Sequence, residues 1–128
     1  MALDYSTALR NGRLQQIQTT VGSAGLLKIF SGAEPANCAA ADPSGLLVTI
    51  NLPTTFLTVS GGVTTIAGTW TGTATGSGTA QCFRMYDNGS NCHLQGAIPA
   101  EMTLSPSAAI VSGQSVTVNT FGVTAGNP

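Results

Sequence analysis

Thr79–Ile98, TAQCFRMYDNGSNCHLQGAI, is the stretch whose reading decides the fold class. Two runs of strand-forming residues, Thr79–Tyr86 and Cys92–Ile98, flank Asp87-Asn88-Gly89-Ser90-Asn91, a cluster of turn formers. Such an arrangement reads as an antiparallel hairpin, because Asn and Gly tolerate the backbone angles that tight connections require. A two-residue Asn88-Gly89 turn pairs Asp87 with Ser90 and sets Arg84 opposite His93, sending Cys82 and Cys92 to different faces. A three-residue loop puts both cysteines on one face but four positions apart. Neither register brings the Cα atoms within the roughly 4.4–6.8 Å that a disulfide needs, so no Cys82–Cys92 bridge is expected.

Moving outward from the hairpin, the same period of two recurs in both directions. Upstream, Leu26–Phe30 and Leu46–Asn51 alternate as strands, and Phe56–Ser60 and Val63–Thr73 form a second hairpin around Gly61-Gly62. Ile66, Gly68 and Trp70 share one face of its second arm, and Trp70, the only tryptophan, is expected in the core. Downstream come Met102–Leu104, a turn at Pro106, Ala108–Val111, the turn Ser112-Gly113-Gln114 and a last strand Ser115–Val123. Seven or eight short, evenly spaced strands are the pattern of a sandwich or jelly roll. The long Ser31–Ser44 connection reads equally as a surface crossover between two sandwich layers and as a loop that touches a partner.

One segment has a different period. Asp4 or Ser6 can cap a helix over about residues 4–20, with Leu14, Ile17 and Val21 at helical spacing and Gly22 as its stop. Gly12 and the Thr19-Thr20-Val21 end lower its intrinsic propensity, so this helix needs packing to persist. The expected architecture is thus one all-β domain over residues 1–128, a helical segment 1–22 followed by a β-sandwich or jelly-roll-like unit 23–128.

Composition bounds what such a domain does. The 128 residues are 42% hydrophobic but only 7% charged, where globular domains average about a quarter. A surface this poor in charge suggests that neighbours cover much of it, as in an assembly. Four cations, Arg10, Arg13, Lys28 and Arg84, and a net charge of -1 argue against nucleic-acid binding. No apolar stretch approaches the roughly 20 residues of a membrane span, and Asp4 stands where a secretory segment would be positive, so cytoplasmic synthesis is expected. Cys38, Cys82 and Cys92, an odd number without CxxC spacing, fit free, mostly buried thiols.

Catalytic chemistry finds little footing. His93 is the only histidine, and Ser90, His93 and Asp87 around one turn are a local set of the kind that chance supplies. Pairing of His93 with Arg84 across the hairpin would disfavour its protonated form. Asp87 alone among residues 87–91 is acidic, too few carboxylates for a calcium loop, and no phosphate-binding, metalloprotease or nucleophile-elbow motif occurs. The threonines of residues 69–75 are too few and unrepeated for an ice-binding array. Trp70, two Tyr and four Phe are few platforms for sugar rings, and most stand in core phase. No catalytic residue, cofactor or metal ligand is therefore assigned.

MALDYSTALRNGRLQQIQTTVG, LLKIFSGAEPANCAAADPSGLL, GTAQCFRMYD, CHLQG and QSVTVNTFGVTAGN together resemble small virion proteins encoded among the head genes of tailed bacteriophages. The resemblance runs from Ala2 to Asn127 in short phrases and is strongest to head cement or decoration proteins. It implies a β-sandwich or jelly-roll subunit, a homodimer or homotrimer, that binds the major capsid protein on the outer surface of the phage head. No residue motif carries over, since surfaces do the work in that family. Tyr5, Leu9, Arg10 and Arg13 on the helix are the candidate partner contacts, because aromatic and Arg anchors dominate interface energy; a solvated helix face is the alternative. Other readings are a tail, neck or fibre-base component and, from a different class, a receptor- or glycan-binding module.

Overall fold

Ser6 starts the helix: it is extended, and its Oγ accepts the Leu9 amide at 3.1 Å, satisfying one of the donors a helix N-terminus leaves bare. In this computed structural model, which describes residues 4–124, α1 therefore spans Thr7–Val21, three residues later than the earliest expected start. Gly22 ends it with φ +83°, as its position suggested. Residues 1–3, and residues 125–127 of the phage-like phrases, lie outside the described residues.

Leu14 and Val21 of α1 are buried and Ile17 is partly so, but polar side chains fix the helix in place. Gln18 Oε1 accepts the amides of Phe56 and Leu57 at 3.1 and 2.9 Å, and Asn11 Oδ1 accepts that of Gly62 at 2.8 Å. These bonds complete backbone donors around the hairpin of residues 57–66 that would otherwise lack partners.

Eleven strands follow among the described residues, every pair antiparallel: β1 Leu26–Phe30, β2 Leu46–Asn51, β3 Leu57–Ser60, β4 Val63–Ile66, β5 Thr71–Thr73, β6 Gly78–Thr79, β7 Cys82–Tyr86, β8 Cys92–Ala97, β9 Met102–Ser105, β10 Ala109–Ile110 and β11 Ser115–Phe121. They form a four-stranded sheet, β2-β1-β7-β8, a three-stranded sheet, β5-β11-β9, and two pairs, β3-β4 and β10-β6. Among the described residues the fold is all-β with a single helix at its N-terminal end, as the periodicity indicates.

Several connections differ from the sequence reading. The Gly61-Gly62 hairpin forms with both glycines at positive φ, but its second arm does not run unbroken to Thr73. Gly68, at φ +73°, turns the chain after Ile66, and β5 leaves β3 to pair with β11 instead. One run of alternating residues thus serves two sheets, and Ile66 and Trp70 belong to different parts of it. The Ser31–Ser44 segment is not a crossover between layers. β1 and β2 are neighbours in one sheet, and the loop is a long hairpin excursion closed at its neck by Ser31 N to Gly45 O and Gly32 N to Ser44 O, at 2.9 and 3.0 Å.

A chain of rings joins the pieces. Phe56, just before β3, lies 6.0 Å from Trp70, which lies 5.6 Å from Phe121 of β11, which meets Phe83 of β7 edge-on at 5.5 Å. Centroid spacings of this size are those aromatic pairs prefer, and they bind the two larger sheets and the β3–β4 pair into one core.

Candidate functional site

The expected helix contacts divide between inward and outward roles. Leu9 is exposed, and Arg13 lies with its guanidinium 5.3 Å from the centre of the Tyr5 ring, a cation–π pair. Arg10 turns inward, its guanidinium so close over Gly62 that an added Cβ there would stand 2.5 Å from a terminal nitrogen. Leu9 and Arg13 are thus exposed and Tyr5 half-buried, whereas Arg10 packs on the β3–β4 turn.

A second surface is spread over three strands, which a scan of single segments does not join. Register pairs Thr71 with Thr117 and Thr73 with Ser115 on one side of β11, and Thr117 with Ser105 and Thr120 with Thr103 on the other. The intervening Val116, Val118, Leu104 and Met102 are buried, so the hydroxyl side chains point outward together. Adjacent hydroxyls bond one another, Thr71 to Thr117 at 3.1 Å and Thr103 to Thr120 at 2.5 Å. The result is a pleated face of hydroxyls with no ionisable group on any of its three strands.

The most elaborate polar structure lies on the opposite strand group. All five residues of β7 are buried, so both of its faces are covered. Phe83 and Met85 face the core; Cys82, Arg84 and Tyr86 lie on the other face, beneath the 31–44 loop. Arg84 is 1% exposed and organises that loop: Nη2 donates to the carbonyls of Asn37, Cys38 and Ala40 at 3.2, 2.9 and 3.0 Å, and Nη1 donates to Asp42 Oδ1 at 2.6 Å. The Tyr86 hydroxyl also donates to Asp42 Oδ1. Asn37 Oδ1 shapes the loop itself by accepting the amides of Ala39 and Ala40. Gln95, opposite Arg84, donates to the Pro35 carbonyl at 2.7 Å and ties the loop to β8.

The electrostatics follow from that packing. Burial opposes the charge on Asp42, but the bonds from Tyr86 and Arg84 outweigh it and hold the carboxyl below its usual range. Burial and the Asp42 carboxylate together push the Tyr86 hydroxyl well above its ordinary value. Beside these groups a cavity of about 630 Å³ opens between the loop and the sheet, lined among others by Lys28, Cys38, Asp42 and Cys92. Two groups on its lining, Asp42 and the buried Arg84, are paired with each other at 2.6 Å. Among the described residues no three His, Cys, Asp or Glu side chains come together as a metal site.

The hairpin after β7 corrects the expected register. Asp87 N donates to Asn91 O, Ser90 takes φ +65°, and a bulge then sets Tyr86 opposite Cys92 and Met85 opposite Leu94. Arg84 consequently faces Gln95, and His93 bonds Asp87 through Nε2 at 2.8 Å. The Asp87 side chain decides this: it accepts the amides of Gly89 and Asn91, favouring a longer Asx-type loop over the two-residue turn. Cys82 lies opposite Ala97, far along the hairpin from Cys92, and all three thiols are free.

His93, followed by the amide of Asn91, depresses the Asp87 pKa well below the usual carboxylate range. A carboxyl depressed on folding adds stability above its unfolded value of about 4, and that stability is lost as pH falls through the folded value. Asp42 has the same sign. Acidification from about pH 5 towards pH 2 should therefore loosen the 87–91 turn and the 31–44 loop before the core, read as faster amide exchange at Gly89 and Asn91. Unchanged protection at Gly89 across that range would refute the assigned role of Asp87.

Among the described residues no helix is long and apolar enough to cross a membrane. No known protein family, curated protein or solved structure matches the chain.

Proposed function

We propose that this chain is a structural, non-enzymatic virion protein of a tailed bacteriophage, a cement subunit that binds the outer capsid surface as a homo-oligomer and bridges capsomers. The observation that carries the reading is the neutrality of the outer surface. Nine residues of 128 are charged, and Arg84 withdraws one of these into the interior with Asp42 as its partner. What remains outside includes the hydroxyl face of β5-β11-β9, whose side chains already bond their neighbours. Burying such a face against another protein costs less than burying ions, because neutral hydroxyls keep their hydrogen bonds and need no counter-charge. A shell under internal pressure gains from each added interface of about 1,200–2,000 Å², since rupture must break it. Phage-like phrases over most of the chain point the same way, and the exposed Leu9 and Arg13 on α1 offer a second contact region.

Purified protein is expected to be oligomeric by light scattering and to co-sediment with phage heads stripped of it. Thr117→Lys, at the centre of the hydroxyl face, should weaken that retention at least about tenfold, because an unpaired charge would be buried. A monomer that leaves stripped heads in the supernatant ends the proposal. Full retention of Thr117→Lys shows that the sheet face is not the contact.

A further inference from the structure

We propose that Cys38 and Cys92 are a dithiol pair that a low-molecular-weight disulfide converts into an internal disulfide, stapling the 31–44 loop to β8. The argument is independent of the function proposed above. Cys92 stands directly opposite Tyr86, so it shares the outer face of the sheet with Tyr86 and Arg84. Arg84 in turn grips the Cys38 carbonyl at 2.9 Å and holds that residue of the loop against the same face. Both cysteines line the cavity between loop and sheet, which is open to solvent on one side, and both are half-buried. The fold thus brings to one cavity two thiols that stand 54 positions apart in the sequence (92 minus 38). Cys82 is different: it is fully buried, and its thiol donates to the Gly32 carbonyl at 3.5 Å.

The chemistry is two successive thiol–disulfide exchanges with a small disulfide, RSSR, as oxidant. The Cys38 thiolate attacks one sulfur of RSSR, breaking its S–S bond and releasing RS⁻, which takes up the proton Cys38 gave to solvent. The Cys92 thiolate then attacks the Cys38 sulfur of the mixed disulfide and expels the second RS⁻, which is protonated likewise. Two protein thiols are oxidised, one RSSR is reduced to two RSH, and nothing else is consumed. Burial, with the neighbouring Cys38 sulfur, pushes the Cys92 thiol up to about 11, so Cys92 suits the second, intramolecular step, where proximity compensates for a small thiolate fraction. Cytoplasmic thiol buffers keep such a pair reduced, and the staple would close once the chain reaches an oxidising medium.

Incubating the reduced, folded protein with oxidised glutathione, quenching in acid and mapping peptides by mass spectrometry tests this. The Cys38–Cys92 linked peptide should dominate, with Cys82 unmodified, and the melting temperature should rise by about 5–10 °C, since the staple closes a long loop in the unfolded chain. The same treatment in urea should scatter the products among all three pairings. Cys82→Ser should behave as wild type, whereas Cys92→Ser should leave a lasting glutathione adduct on Cys38. Wild-type protein that keeps both thiols free, that carries glutathione singly on each, or that links them no better folded than unfolded overturns the proposal, and each outcome is read on the wild type even should a variant fail to fold.

Discussion

Arg84→Met should cost about 2–4 kcal/mol of stability and release the 31–44 loop while leaving the four-stranded sheet in place. Methionine keeps most of the side-chain volume beneath the loop but removes four hydrogen bonds, those to the Asn37, Cys38 and Ala40 carbonyls and to Asp42. The ion pair itself is the smaller part of the loss. Asp42 is 45% exposed and rehydrates once its partner is gone, so solvent already screens much of that attraction. Three carbonyls that shared one guanidinium have no such recourse while the loop stays down. The loop therefore lifts, and the loss is capped near the free energy that held it. Urea unfolding should show the drop, and limited proteolysis should cut first between Ser31 and Ser44. A variant as protease-resistant as wild type, with unchanged stability, would show that the loop holds itself and that Arg84 is a bystander.

That arginine also marks where the sequence stopped being legible. Helix α1, the core phase of Leu14, Ile17 and Val21, and the strands at 26–30, 46–51 and 115–121 follow from periodicity, because apolar residues recur there at the helix or strand spacing. Arg84 does not: it occupies the outer phase of β7, where alternation places a solvated side chain. Only the return of a distant loop over that face makes it interior, and period-two reading carries no trace of a cover supplied from residues 37–42. One sign was present. CFRMY has no small polar residue on the face opposite Phe83 and Met85, which is unusual for a strand with one wet side. The hairpin register failed for a local reason, since Asn88-Gly89 favours a two-residue turn by backbone preference while the Asp87 carboxylate reaches two amides beyond it. The hydroxyl face was invisible for a third reason: its threonines come from three strands, and only pairing sets Thr103, Thr120, Thr117 and Thr71 side by side.

Trp70→Ala should be the most damaging single truncation, at about 3–5 kcal/mol. Expectation of a buried tryptophan needed only its uniqueness and its phase, but the magnitude rests on what surrounds it. Trp70 is 0% exposed, its indole N–H donates to the Ala67 carbonyl at 3.3 Å, and its ring is the middle of the series from Phe56 through Phe121 to Phe83. Its own carbonyl accepts the Val118 amide at 3.0 Å, so the backbone there also joins β5 to β11. Alanine would leave a cavity bounded by rings belonging to different sheets, and those sheets cannot close in on it without breaking their own register. Such a site collapses poorly, which places the cost high in the usual range. A domain of this size is stable by only about 5–15 kcal/mol, so the variant should lose a third or more of its margin and expose Phe121 to solvent. Trp70→Phe, which keeps a ring in the gap, should recover more than half of the loss, although the Ala67 carbonyl loses its indole donor. Equilibrium unfolding in urea discriminates the cases: a cost below about 1.5 kcal/mol for Trp70→Ala would mean that the two sheets meet through contacts other than this ring, and the aromatic series would no longer explain how they cohere.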